Sequence, residues 1–206
     1  SEGGVYRFSA NKNYPVFLFM SIIVALFLGL TVSAEEIYRD RKITEREKFL
    51  NLSRFSYLIS KLNFLFTLSA IQTLSFILVA HTVLEVRGML LWQWIVLFST
   101  ACFGNIVGLN ISAGMRSAVS IYILIPLILV PQLLLGGAMI KFDDLHKSLT
   151  KKVFVPVIGD IMATRWAYEA MSVEQFRSNR FQKPFFRYDM EISQNDWYAS
   201  FLIPTL

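Results

Sequence analysis

Residues 35–61 (EEIYRDRKITEREKFLNLSRFSYLISK) hold the densest set of interacting side chains in this 206-residue chain. Glu35, Glu36, Asp40, Glu45 and Glu47 stand among Arg39, Arg41, Lys42, Arg46, Lys48, Arg54 and Lys61. Acids and bases recur three and four positions apart, the spacing at which side chains on one helix pair. The chemistry on offer is ion pairing rather than catalysis. Ile37, Ile43, Phe49, Leu50, Leu52 and Phe55 can share an apolar face against lipid or a partner. One reading is a solvated interfacial helix. A lipid-anchoring helix would be mainly basic, so five acids against seven bases favour a second reading, a docking element for another protein.

Other reactive residues are scattered. His81 and His146 stand alone, without a ligand set at metal spacing. Cys102, the single cysteine, lies in an apolar stretch and reads as a packing residue. No Ser/His/Asp pattern and no nucleophile elbow is legible. Glu169, beside Trp166 and Tyr168, reads as a local ion-pair partner for Arg165. A phosphate-binding loop of the GxxxxGK type is absent from the 206 residues, so this chain by itself does not hydrolyse ATP. No enzyme activity and no metal are expected in it.

The elements that carry these residues are set by where charge is missing. The chain is 54% hydrophobic with a mean hydropathy of +0.48. Stretches 13–34, 62–84, 88–115 and 117–140 contain no Asp, Glu, Lys or Arg. A helix needs about 20 apolar residues to cross the roughly 30 Å hydrocarbon core. The fold expected is all-α and polytopic: four complete transmembrane spans at 14–34, 62–84, 89–111 and 118–139, then a truncated fifth from 197. Both ends of the sequence read as cut from a longer protein. The net charge of +5 forms no basic stripe, which argues against nucleic acid and for loops beside a membrane. Seven Lys/Arg in 35–61, against one each in the loops at Arg87 and Arg116, place 35–61 in the cytoplasm and the long segment 141–195 outside. That outer segment is aromatic enough to fold, with a helix expected near 157–172 and possible re-entrant helices.

Polar residues inside the spans, among them Asn63, Gln72, Asn105, Asn110 and Gln132, read first as interhelical hydrogen-bond partners and second as lining for a substrate path. Gly104 and Gly108 have the spacing that permits close helix crossing, and Pro126 and Pro131 should loosen the fourth span.

Two stretches together resemble a known family. Glu36 ending the first span, the Arg46-Glu47 pair, Tyr57, and Lys61 opening the next span match the first cytoplasmic loop of ABC-2 type exporters of the G (White) subfamily. GGAMIKFDDLHK, then VPVIGDIMATRWAYEAMSVEQFRSN with its Trp166–Ala170 run, is similar to that family's outer loop. The resemblance covers nearly the whole chain, and its nearest members are bacterial exporters with a fused ATP-binding domain.

The resemblance implies a permease (residues 1–206, a partial transmembrane domain) that moves substrate by alternating access. The rival is a non-transporting membrane scaffold or assembly subunit. It implies a homodimer or a pairing with a related half-transporter, in contact with membrane lipid. It also implies a nucleotide-binding domain upstream, which would hold ATP and Mg, so that no cofactor belongs to this chain. The location implied is integral and multi-pass, in a bacterial inner membrane. Coupling to the nucleotide-binding domain would fall on Arg46, Glu47, Lys48, Phe49, Asn51 and Arg54 within the 35–61 coupling segment. The substrate pathway, at a dimer axis, would involve Phe19, Phe27, Thr31, Gln132 and Leu133.

Overall fold

The computed structural model describes residues 13–47, 53–84, 88–115, 117–136 and 161–178. Within them there are six helices and no strand: α1 (Asn13–Ser33), α2 (Glu36–Glu47), α3 (Arg54–Leu84), α4 (Leu90–Gly114), α5 (Ala118–Leu134) and α6 (Ala163–Ser178). Three helical stretches are long and apolar enough to cross a bilayer: Tyr14–Arg41, which runs through α1 into the start of α2, Phe55–Leu84 in α3, and Leu90–Gly114, which is α4.

α5 corrects the expected span of 118–139. It ends at Leu134, giving 17 residues, or about 25 Å of helix. Pro126 and Pro131 both sit inside it, and each removes a backbone donor from the ladder. The Leu135 N–H closes the last turn on the Pro131 carbonyl. Gly136 then packs so tightly on the Phe19 ring that a Cβ there would lie 2.7 Å from it. The expected fifth span lies outside the described residues.

α3 is the second departure. The tail of the charged segment and the second apolar stretch form one continuous helix of 31 residues. Lys61 therefore stands on the same rigid rod as the span, two turns from its start.

α1 is the central element. Its face Leu18, Ile22, Ala25, Leu26 and Leu30 is buried, while Val16, Met20, Val24 and Phe27 face outward. Its main neighbour is α4. The two backbones meet where Gly104 faces Gly29 and Gly108 faces Leu30 and Ser33. A Cβ on Gly104 would lie 2.8 Å from the Leu26 carbonyl oxygen, and one on Gly29 would collide with the Ala101 carbonyl. Small residues let backbones approach where lipid supplies no hydrophobic drive for helix association. α3 packs on the other side of α4, where Asn105 Nδ2 donates to Ser69 Oγ at 2.8 Å.

α2 and α6 lie at opposite ends of this bundle. α2 sits against the start of α3 and the end of α4. α6 sits against the start of α1 and the end of α5.

Candidate functional site

The α2 end is a charged joint. Glu36 and Asp40 lie one turn apart on α2; Tyr57 and Lys61 lie one turn apart on α3. Lys61 Nζ donates to Glu36 Oε2 at 2.8 Å and reaches Asp40 Oδ2 at 2.6 Å. Tyr57 O–H donates to Asp40 Oδ2 at 3.1 Å, and Arg39 Nη2 to Glu36 Oε1 at 2.8 Å. The Lys61 ammonium also lies 5.9 Å from the Tyr57 ring centre. Two carboxylates thus face two cations, and the partly buried set is neutral in sum.

The same joint joins two helix ends. The first N–H groups and last C=O groups of a helix lack internal partners. Tyr38 N–H, in the first turn of α2, donates to Ser112 Oγ of α4 at 2.9 Å. Arg41 Nη2 in turn donates to the Ala113 carbonyl, in the last turn of α4, at 3.1 Å. Each helix caps the other.

Asp40 and Lys61 lie outside the charge-free stretches, and their ionisation follows from the joint. Burial raises the Asp40 pKa, but hydrogen bonds from Lys61 and Tyr57 and the charges of Lys61 and Arg39 outweigh it and hold the group below its ordinary 3.8. Burial lowers the Lys61 pKa, but the bonds to Asp40 and Glu36 and their charges outweigh it, so the ammonium persists above its ordinary 10.5.

The pairings 40 with 57 and 36 with 61 run in opposite directions, so α2 and α3 form an antiparallel hairpin. Glu47, the last residue of α2, and Arg54, the first of α3, stand at its tip with Arg46. Lys48, Phe49 and Asn51 lie outside the described residues, as do the side chains of Arg46, Glu47 and Arg54. Of the residues singled out in the sequence, the joint unites Glu36, Tyr57 and Lys61. Asp40 was not separated from its charged neighbours there; its signal was the four-residue spacing repeated in 36/40 and 57/61.

The contacts that fasten the α6 end to its neighbours are hydrogen bonds between uncharged groups. Gln93 Nε2 donates to the Tyr14 oxygen at 3.1 Å, and Tyr14 O–H donates to Gln175 Oε1 at 3.1 Å. Gln93 Oε1 is left to accept from His81 Nε2–H at 2.7 Å. All four side chains are buried, and they come from α3, α4, α1 and α6. His81, solitary in the sequence, is thus the end of a four-helix chain. Beside it, Gln132 Oε1 accepts from Thr164 N–H at 3.2 Å, and Thr164 Oγ1 donates to the Gln132 carbonyl at 2.8 Å. α5's end and α6's start cap each other, as α4 and α2 do at the opposite end. Within α6, Arg165 lies 4.0 Å from Glu169 and over the Trp166 ring, the local pairing expected for Glu169.

The five residues expected along a substrate path do not converge. Phe19 is buried, edge-on to Tyr168 at 5.8 Å, and Gln132 is committed to Thr164. Leu133 is half-buried. Phe27 faces outward on α1, and Thr31 donates its hydroxyl to the Phe27 carbonyl at 2.8 Å. Among the described residues, no group of three or more His, Cys, Asp or Glu could hold a metal ion.

No curated protein and no solved structure matches the chain. One protein-family model does match, described as ABC-2 type transporter, over residues 3–176.

Proposed function

The chain belongs to the ABC-2 type transporter family, and from that premise we propose that it is the permease of an ATP-driven exporter in which the α2–α3 hairpin receives the stroke of the motor. Membership makes it the membrane part of an ABC transporter rather than its ATPase domain, and such domains partner with a nucleotide-binding domain. The three apolar helices fit an integral membrane protein. Export, alternating access, a dimer, fusion to the ATPase and a bacterial inner membrane are our reading.

The observation that carries it is the charged joint. A force on the hairpin tip reaches α3 through its own continuous helix. It reaches α4 through Ser112 and Ala113, the last turn before the link to α5. Arg46, Glu47, Lys48, Phe49, Asn51 and Arg54 are proposed to contact the nucleotide-binding domain at that tip, within a cytoplasmic coupling segment 35–61. With 35–61 inside, α6 and segment 141–195 lie outside. Phe27 and Thr31, on the outward face of α1, are proposed to line the path across the dimer axis with Leu133. Phe19 and Gln132 instead pack against α6, through Tyr168 and Thr164. ATP and Mg are proposed to bind the nucleotide-binding domain alone.

The test uses the full-length transporter in inside-out vesicles, with ATP turnover measured beside uptake of a panel of lipophilic dyes, lipids and hydrophobic peptides. Glu47→Lys is expected to keep ATP turnover and lose ATP-driven uptake. Uptake at the wild-type rate would count against the tip as the docking element. A membrane scaffold would show no ATP-driven uptake in the wild type either.

A further inference from the structure

α1 and α3 both pack on α4 but touch each other little, and a cavity of about 670 Å³ separates them. Phe17 and Leu28 wall it on α1; Gln72, Phe76, Val83 and Leu84 wall it on α3. Its α3 wall runs from Gln72 to Leu84, twelve helical steps or about 18 Å. That is about one leaflet of the hydrocarbon core, from mid-depth to the α6 end. Toward the α2 end, the Lys61–Glu36 bond ties α3 to the α1–α2 side. The groove is therefore half the length a spanning helix would fill.

Its chemistry is specific at one point. Among the described residues, no ionisable side chain lines it. The Ser75 hydroxyl is turned back onto its own helix, donating to the Ile71 carbonyl at 2.9 Å. Gln72 alone among the lining side chains offers a free amide: its backbone carbonyl accepts from Ser75 Oγ at 2.9 Å, but its side-chain amide has no hydrogen-bond partner among the described residues. It lies one residue from the middle of the charge-free stretch 62–84, at a depth where lipid tails cannot satisfy it.

We propose that this groove binds an uncharged, elongated apolar molecule with a hydroxyl at one end, which enters hydroxyl first and pairs with the Gln72 amide at mid-depth. The described residues around Gln72 offer no charge to pair an ionic headgroup at the deep end, where an unpaired charge is costly. A phospholipid tail fits the walls, but it would place its methyl end against Gln72 and leave the amide unpaired. The binding site goes beyond the exporter reading and does not depend on it: a failed groove leaves coupling at α2 untouched.

The test is photo-crosslinking of the full-length protein in lipid nanodiscs with two probes, hexadecanol and hexadecane, each carrying a mid-chain diazirine. The outward face of α5 (Tyr122, Ile123 and Leu127) is the reference for plain lipid exposure. Hexadecanol is expected to label the groove above that reference, and excess unlabelled hexadecanol to compete it away. Gln72→Leu should lower the hexadecanol signal about fivefold, the worth of one uncharged hydrogen bond, and leave hexadecane unchanged. Ala80→Trp, which fills the groove, should lower both. Equal labelling of groove and α5, or a hexadecanol signal indifferent to Gln72→Leu, would overturn the proposal. So would a Gln72→Leu protein whose oligomeric state shifts while its labelling holds, since Gln72 would then be pairing with a second copy.

Discussion

The two ends of the bundle use one device in two chemistries. At each end a shorter helix, α2 or α6, is fastened by exchange of caps with the end of another helix. The α2–α4 exchange is flanked by Glu36, Asp40, Arg39 and Lys61. The α5–α6 exchange is flanked by Tyr14, Gln93, His81 and Gln175, joined by hydrogen bonds that run through the neutral Gln93 amide. Access to water accounts for the difference. Arg39 keeps 67% of its side-chain exposure, so its charge stays hydrated, and long polar side chains near span ends reach water readily. Gln93 is 1% exposed, where a full charge would lose hydration without recovering it. The charged joint is therefore the adjustable one, open to salt and pH; the neutral joint is set by burial.

The sharpest break of that contrast is at Gln93. Gln93→Leu removes the middle of the neutral chain: His81 Nε2 stays buried without its acceptor, and Tyr14 loses one of its bonds while keeping that to Gln175. The expected cost is about 3 kcal/mol, from one buried donor left without an acceptor and a second hydrogen bond lost, read as a fall in detergent-solubilised melting temperature that is the same in low and high salt.

Lys61→Met comes next. It leaves Glu36 and Asp40 facing each other, with Tyr57 the remaining donor to Asp40. The expected loss is roughly 2 kcal/mol, below that of a fully buried pair because the joint is partly hydrated. Unlike the Gln93 effect, it should shrink in high salt. A salt-independent loss would mean that the aliphatic stem of Lys61, not its charge, holds the joint.

The caps themselves are smaller and should match. Ser112→Ala and Thr164→Val each remove one side-chain partner of a helix N–H or C=O, at about 1 kcal/mol. If Thr164→Val costs several times more than Ser112→Ala, the neutral joint rests on its cap rather than on the chain beside it.

The smallest effect is pH. Asp40 is held below 3.8, so its contribution is complete above that value and is lost as pH falls through the lower folded value. Lys61 is held above 10.5, so its contribution is complete below that value and is lost as pH rises through the higher folded value. The melting-temperature gap between wild type and Lys61→Met should be flat from about pH 5 to about pH 9 and narrow outside it.

The spans were legible in the sequence because lipid forbids charge, and charge-free stretches are visible without knowing any contact. The end of α5 was not, since residues 135–140 carry no charge and nothing local in them marks Leu134 as the last helical residue. Half of the charged joint was legible, because 36/40 and 57/61 are four apart and face each other across a single hairpin. The neutral chain was invisible. Its links join residues 12, 79 and 161 apart, and nothing local distinguishes His81 or Gln93 from any lone polar residue in a span. Gly104 and Gly108 announced a close crossing but not its partner, since the matching glycine lies on α1.

The central claim is that α2 moves as one body with α3 and α4. It is tested most directly by spin labels at Ile43 on α2 and Ile95 far along α4, in a Cys102→Ser background of the full-length transporter, with and without bound ATP. Both positions face outward, so labels disturb neither joint. One narrow distance that is unchanged by ATP is expected, with Lys61→Met broadening it while ATP turnover continues. An Ile43–Ile95 distance that shifts with ATP in the otherwise wild-type protein would contradict the claim, because α2 would then slide on α4 instead of carrying it.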